Sequence, residues 1–329
     1  MDLGQRISLV EANTVEVVLR EELVELLQSK KKPVVYCGYE PSGAVHLGHF
    51  VTMNKLLAME KAGFKVKILL ADWHAFLNKK GDWDFIKKMS ATWKNVFKKF
   101  GLKNAEFVLG SSFQMKSQYF EDVLALSSHT TVNRGTRSMQ EVARNLDHAY
   151  VSQIIYPLMQ IADVKHLKAD AAQAGIEQRK IYMLGRETIG QIGYKKPVLV
   201  HTPLINSLTG AGKMSSSDPL SFISVIDSEE QIRQKISKAF CPVGVVEANP
   251  VLEIARLIVF PHFGKIELKR DKRFGGDIAF GSFAELEREF VARSVHPMDL
   301  KSAIAGYLAE MFSPAKKVIE KGGIGLKEV

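Results

Sequence analysis

A doubly wound α/β sheet with parallel strands, followed by a smaller and mostly helical domain, is the fold class this sequence predicts. Three observations carry it. Short apolar runs alternate with longer stretches of helical period, the pattern of a parallel sheet wrapped by helices. Two of the helical stretches, residues 47–62 and 84–100, are closed by Gly63 and Gly101, where a left-handed cap is wanted. Beyond Ser217 the short apolar runs give way mostly to helical segments.

In chain order, residues 34–38 (VVYCG) read as the first strand, 67–71 (KILLA) as the second, 106–109 as the third and 197–201 (PVLVH) as a further one. Each has the length and apolar character of a strand covered on both faces. Helices fill the intervals, and residues 152–168 are apolar on nearly every side, as a buried helix is. In the second half, helices are expected at 228–240, 250–259, 282–291 and 297–312. Residues 264–281, rich in glycine and charge, read as an irregular loop. The change of pattern near Ser221 predicts two domains, 1–220 and 221–329.

Size agrees with that division, since 329 residues exceed one ordinary core. Hydrophobic residues at 46% and charged residues at 25% are the balance of a globular protein that buries a core. No apolar run approaches the roughly 20 residues that span a bilayer, and the first residues lack a signal-like stretch, so a cytoplasmic location is expected. Cys37 and Cys241 are the only cysteines, too few for a disulfide framework or a cysteine-based zinc site, and no metal site is assigned. The net charge of +9 is concentrated in the first 220 residues, with 29 basic against 21 acidic side chains, then 16 against 15. Such a surplus is compatible with an anionic partner such as RNA, although many basic proteins bind none.

Two segments carry candidate chemistry. Directly after the first strand, Glu40-Pro-Ser-Gly-Ala-Val-His46-Leu-Gly48-His49 forms a turn that runs into a helix. Phosphate-bearing ligands bind at such strand-to-helix turns. His46 and His49 project from one side of the first helical turn, and Gly48 between them lets a planar ring approach the backbone. Taken alone, the pair also reads as surface histidines, or as half of a zinc site that lacks further ligands. The second segment, Gly210-Ala-Gly-Lys213-Met214-Ser215-Ser216-Ser217, is a glycine-flanked loop with a lysine and three hydroxyls. A lysine on such a loop can neutralise a pyrophosphate as charge develops; a solvated loop or a phosphorylation site is the plain alternative.

Together, H-x-G-H after an early strand and K-M-S-S-S at the far edge of the fold resemble the paired signatures of class I aminoacyl-tRNA synthetases. The resemblance implies a Rossmann-like catalytic domain in which His46 and His49 contact ATP phosphates and Gly48 packs under adenine. It further implies that Lys213, Met214, Ser215, Ser216 and Ser217 bind ATP from a mobile loop, with His46, His49 and Lys213 as the catalytic set. The nucleophile in that chemistry is the amino acid's own carboxylate, so alignment and charge stabilisation suffice. The chain accordingly needs no nucleophilic triad.

The buried helix carries three polar exceptions, Tyr156, Gln160 and Asp163, spaced i, i+4 and i+7 on one face. A buried carboxylate is costly unless hydrogen-bonded, so that face borders either a polar pocket or a structural network. Tyr36 lies on the first strand, facing the same crevice, and Gln178 opens the next helix. The series YxGxEPSG before HLGH, YPxMQxxD, EQRK and KMSSS resembles tyrosyl-tRNA synthetases of the archaeal and eukaryotic type over residues 14–308.

That resemblance implies ATP with Mg²⁺, L-tyrosine and tRNA(Tyr) as ligands, and a homodimer. Tyr36 and Asp163 would bond the substrate phenol, and Tyr156, Gln160 and Gln178 its ammonium group. Glu40, Leu69, His74 and Gln114 would complete the pocket. Arg137 and Arg179, with Lys180, would meet the acceptor stem, while Phe274 and His296 sandwich an anticodon base bonded by Asp299. Tryptophan-specific enzymes are the near alternative, but an indole has no hydroxyl for the Tyr36 and Asp163 pair. An inactive RNA-binding descendant is the other. Ala174 and Gly185 depart from residues common in relatives, with packing behind the pocket as the expected consequence.

Overall fold

The structure, a computed structural model, describes residues 1–142, 150–210, 212, 214 and 221–321. It divides into two compact units, Met1–Gly43 with Lys55–Pro203, and Ala44–Asn54 with Leu204–Val329. Residue 220, where the first expected domain ends, lies outside the described residues.

The first unit is built on a six-stranded sheet of β1 (Glu16–Val18), β2 (Val34–Tyr39), β3 (Lys65–Leu70), β4 (Glu106–Leu109), β5 (Ala171–Gly175) and β6 (Val198–Thr202). Their spatial order is β1-β6-β5-β2-β3-β4. All neighbours are parallel except the edge strand β1, which runs antiparallel to β6. The expected α/β sheet is therefore present, with two strands that hydrophobic periodicity does not reveal. β1 has only three residues, and β5 (AAQAG) is fully buried yet carries none of the branched or aromatic side chains that signal a strand.

The chain winds outward through β2, β3 and β4, then returns to lay β5 against the other flank of β2, pairing Tyr36 with Ala172. The strand order thus reverses between β2 and β5. In open α/β sheets the crevice at the carboxyl ends of such a pair is where ligands bind. Helix Leu47–Lys61 follows β2, Trp83–Lys99 leads to β4, and Val151–His166 precedes β5. The glycine stops hold, since Gly63 and Gly101 have φ of +95° and +114°, values that other residues rarely adopt.

The core of this unit packs Tyr36, Leu69, Tyr119, Ile161, Ala162 and Tyr182 together. Gly185 belongs to this packing, because a Cβ there would lie 3.1 Å from Ile161 Cγ1. Its missing side chain lets helix Arg179–Thr188 sit close to helix Val151–His166. Helix Ser117–Ser128 follows residues 110–116, which form a turn of their own.

In the second unit, Leu47 N–H bonds Ile223 O at 3.0 Å and Val225 N–H bonds Val45 O at 2.9 Å, which fixes the start of helix Leu47–Lys61 on residues 223–225. Helices Glu229–Lys238, Phe283–Val291 and Pro297–Lys321 lie where periodicity places them, and the last runs past 312 through Pro314. The stretch expected as one helix at 250–259 is Pro250–Ile254 continued by a wider π turn, Ala255–Val259. Residues 264–281 are not an irregular loop. They hold the antiparallel pair β7 (Ile266–Leu268) and β8 (Ile278–Phe280), which bury Ile266, Leu268 and Phe280. Three-residue strands are too short for alternation to register against the surrounding glycine and charge.

Candidate active site

In the first unit, Tyr36 and Glu40 lie on and just past β2, with exposed Gly38 between them on a strand otherwise largely buried. Leu69 pairs with Gly38 in register on β3 and is buried beside Tyr36. The face of β2 beside Tyr36 is thus open at one residue and bounded by Leu69.

Helix Val151–His166 supplies Tyr156, Gln160 and Asp163. Asp163 is completely buried, and its Oδ1 accepts from Gln114 Nε2 at 2.8 Å and from the Tyr119 hydroxyl at 2.9 Å. Its Oδ2 faces His74 Nε2 at 3.7 Å. Burial pushes the Asp163 carboxyl up to about 7, against the pull of the Gln114 and Tyr119 hydrogen bonds. Burial likewise pushes His74 down to about 4, and its ring stands edge-on to Tyr156 at 4.6 Å. Asp163 Oδ2, His74 Nε2 and Gln114 Oε1 are buried and carry no hydrogen bond within the protein. Each such atom costs about 1–3 kcal/mol until something bonds it.

The cluster is held by residues that spacing alone does not reveal. Asp72, buried, accepts from Trp73 N–H at 2.9 Å and from Ser111 N–H at 2.8 Å, which fixes the turn that delivers Gln114. Gly110 is required there, since a Cβ would collide with Gln114 Oε1 and Asp72 Oδ1. Tyr119 orients Asp163, and the Tyr182 hydroxyl bonds that of Tyr36 at 2.9 Å. The one available signal for Tyr182 is its position four residues after Gln178.

At the other end of the same helix face, burial and the neighbouring Glu40 carboxylate push the Tyr156 phenol well above its usual range. Glu40 is held in turn by Asn78 Nδ2 at 3.1 and 3.2 Å. Gln160 Nε2 bonds Gln178 Oε1 at 3.3 Å. The expected tyrosine-site residues Tyr36, Glu40, Leu69, His74, Gln114, Tyr156, Gln160, Asp163 and Gln178 all belong to this unit, and these bonds and contacts link them.

In the second unit, the His46 and His49 rings lie against each other with centroids 3.8 Å apart and planes tilted by 40°. His49 Nδ1 accepts from His46 N–H at 3.0 Å, and His46 Nδ1 from Gly48 N–H at 3.2 Å. The surrounding protein desolvates both rings, taking His46 down to about 4 and His49 well below the usual histidine range. They are neutral at pH 7, and with each Nδ1 accepting, each Nε2 carries the proton. The pair therefore carries no charge. A Cβ at Gly48 would lie 3.0 Å from the His46 ring, so the glycine makes room for that ring within the protein itself. Lys213, Ser215, Ser216 and Ser217 lie outside the described residues; Met214 is half-buried.

Among the basic residues, Arg137 is exposed. Arg179 is not free solvated charge, for it forms a two-point bond to Glu16 at 2.5 and 2.8 Å. Lys180 bonds Gln140 and Glu141. Phe274 is 71% exposed. His296 is exposed and Asp299 half-buried at the start of helix Pro297–Lys321. Among the described residues, no group of three or more His, Cys, Asp or Glu side chains is arranged to hold a metal ion.

A mostly parallel sheet whose strand order reverses once is the frame of a class I synthetase catalytic domain, and family comparison agrees. The model of the class I tRNA synthetases (W and Y) matches residues 28–313, and the chain belongs to that family. The chain is 48% identical over 319 residues to the tyrosine–tRNA ligase of Archaeoglobus fulgidus, covering 96% of this chain and 98% of that one. It is 50% identical over 308 residues to the tyrosine–tRNA ligase of Methanoculleus marisnigri, covering 93% and 96%. Among solved structures, tyrosyl-tRNA synthetase from Archaeoglobus fulgidus complexed with L-tyrosine matches with a TM-score of 0.94 at 48% identity, covering 97% of this chain and 100% of that one.

Proposed function

We infer that the chain is an aminoacyl-tRNA ligase specific for tyrosine. It activates L-tyrosine with ATP to tyrosyl-adenylate and pyrophosphate, then transfers tyrosine to the 3′-terminal adenosine of tRNA(Tyr). The observation that carries this reading is the buried trio Asp163 Oδ2, His74 Nε2 and Gln114 Oε1, unbonded within the protein, in the core that also holds Tyr36. A phenolic hydroxyl donates to Asp163 and accepts from Tyr36. A site made this way rejects phenylalanine because its own polar atoms would stay unpaired, a rule for which tyrosine-specific synthetases are themselves the reference example. An indole has one donor and no hydroxyl, so a tryptophan-specific reading leaves the pair unexplained.

Tyr156, Gln160 and Gln178 hold the substrate ammonium, with Glu40, Leu69, His74 and Gln114 as the wall. The substrate carboxylate then attacks the α-phosphorus as the bond to pyrophosphate breaks, which requires alignment and no protein nucleophile. The neutral N–H donors of His46 and His49 bond the ATP phosphates, Gly48 admits adenine, and Lys213 with Met214, Ser215, Ser216 and Ser217 completes the nucleotide site. Mg²⁺ enters with ATP, held chiefly by the phosphates, and shields their charge.

Arg137, Arg179 and Lys180 contact the acceptor stem, Arg179 exchanging its bond to Glu16 for one to RNA. Phe274 and His296 stack on an anticodon base that Asp299 bonds. The catalytic region is assigned to residues 1–220 and anticodon reading to 221–329. The protein acts in the cytoplasm as a homodimer, and Phe120 and Leu124, 52% and 56% exposed one turn apart on helix Ser117–Ser128, support an apolar dimer face.

The test is ATP–pyrophosphate exchange with each amino acid in turn. Tyrosine alone is expected to drive it. Exchange driven by tryptophan overturns the substrate assignment, and tight tRNA binding without adenylate formation overturns catalysis.

A further inference from the structure

Tyr182, on helix Arg179–Thr188, is 3% exposed, and no expectation drawn from the sequence gives it a role. Its hydroxyl donates to the Tyr36 hydroxyl at 2.9 Å, with the two rings edge to face at 6.4 Å. The Tyr36 hydroxyl in turn donates to the Gln160 backbone carbonyl at 3.2 Å. The Gln160 side-chain amide is bonded elsewhere, to Gln178 Oε1 at 3.3 Å. The two hydroxyl bonds form a relay with one direction, from Tyr182 to Tyr36 to the Gln160 carbonyl.

The direction matters because a phenol has one proton. With Tyr182 donating into its oxygen, Tyr36 keeps its own proton to give, and a hydroxyl that receives a hydrogen bond is the stronger donor. The bond to the Gln160 carbonyl is long for an O–H donor, so that proton is easily redirected to an incoming hydroxyl. Asp163 Oδ2, the complementary acceptor, has no bond of its own within the protein. Without the Tyr182 hydroxyl, Tyr36 would serve as readily as an acceptor, and two acceptors would compete for one substrate proton.

We propose that Tyr182 is a positioning residue for substrate specificity, fixing Tyr36 as the donor to the substrate's phenolic oxygen. The proposal rests on the reading of Tyr36 and Asp163 as the phenol site, and deepens it.

The experiment is pyrophosphate exchange with tyrosine and with phenylalanine for the parent, Tyr182→Phe, Tyr36→Phe and the double variant. Tyr182→Phe is expected to raise the KM for tyrosine roughly 3–10-fold with kcat within about twofold, and to lower the tyrosine-to-phenylalanine ratio of kcat/KM about tenfold. In the Tyr36→Phe background the same substitution is expected to change that ratio by less than about twofold, since the two hydroxyls act as one unit. The ratio cancels the concentration of folded enzyme, so partial misfolding cannot imitate or mask the effect. An unchanged ratio in Tyr182→Phe, or equal effects in both backgrounds, overturns the proposal while leaving the tyrosine site intact. A parent enzyme without tyrosine-dependent exchange takes down the underlying reading as well.

Discussion

The polar cluster of the first unit and the segment around Phe274 in the second present their functional groups in opposite settings. Tyr36, His74, Gln114 and Asp163 are each 2% exposed or less and are fixed by bonds to side chains or backbone, whereas Phe274 is 71% exposed. Burial makes the first region informative. A protein that removes Asp163 from water and leaves one of its oxygens unbonded bears a penalty that a hydrogen-bonding ligand would relieve. An exposed ring carries no such penalty, so its setting points to a partner only through accessibility. The buried region is therefore expected to respond steeply to single atoms and the exposed one mildly.

Substitutions should reproduce that ranking. Asp163→Ala removes the carboxylate and is expected to lower kcat/KM for tyrosine in exchange roughly 10³-fold, about 4 kcal/mol. A loss below tenfold would place the phenol elsewhere. Lys213→Ala is expected to slow adenylate formation about 100-fold, while filter-binding affinity for tRNA stays within about twofold. Parallel loss of both would argue against a purely catalytic lysine.

A smaller effect concerns pH and stability. Asp163 titrates near 7 in the folded protein against an ordinary value of 3.8. The folded state therefore binds more protons between about pH 4 and 7, and the Asp163 contribution falls as pH rises through that window. His74, near 4 in the folded state against 6.5, contributes in the opposite sense between those values. The two largely offset one another. Asp163→Asn should accordingly gain stability relative to the parent as pH is raised from 4 to 7, by about 2 kcal/mol in denaturant midpoints converted with a common slope. A difference that is flat with pH would mean the carboxyl is not desolvated. The mildest expectation is for Phe274→Ala, a roughly fivefold loss of kcat/KM for tRNA with pyrophosphate exchange unaltered. If exchange fell with it, Phe274 would be structural.

Much of this was legible along the chain because it is local. Tyr156, Gln160 and Asp163 declare one helix face by their spacing, and the H-x-G-H turn follows a strand that apolar runs reveal. What escaped is contact between distant segments. Tyr119 reaches Asp163 across 44 residues and Tyr182 reaches Tyr36 across 146, and no period links such pairs. Gly110 looked like any loop glycine, although its missing side chain makes room for Gln114. β5 was invisible for the opposite reason, being alanine and glycine where strands usually show branched residues. The pairing of Arg179 with Glu16 was also hidden, because charge in a sequence does not disclose its partner.

The most direct measurement is a crystal structure of the protein with L-tyrosine bound. The phenolic oxygen is expected within about 2.6–3.2 Å of both Tyr36 Oη and Asp163 Oδ2, with the substrate nitrogen within reach of Tyr156, Gln160 and Gln178. A phenol lying beyond hydrogen-bond distance of Asp163, or an amino acid bound with its ring outside the cluster, would contradict the account.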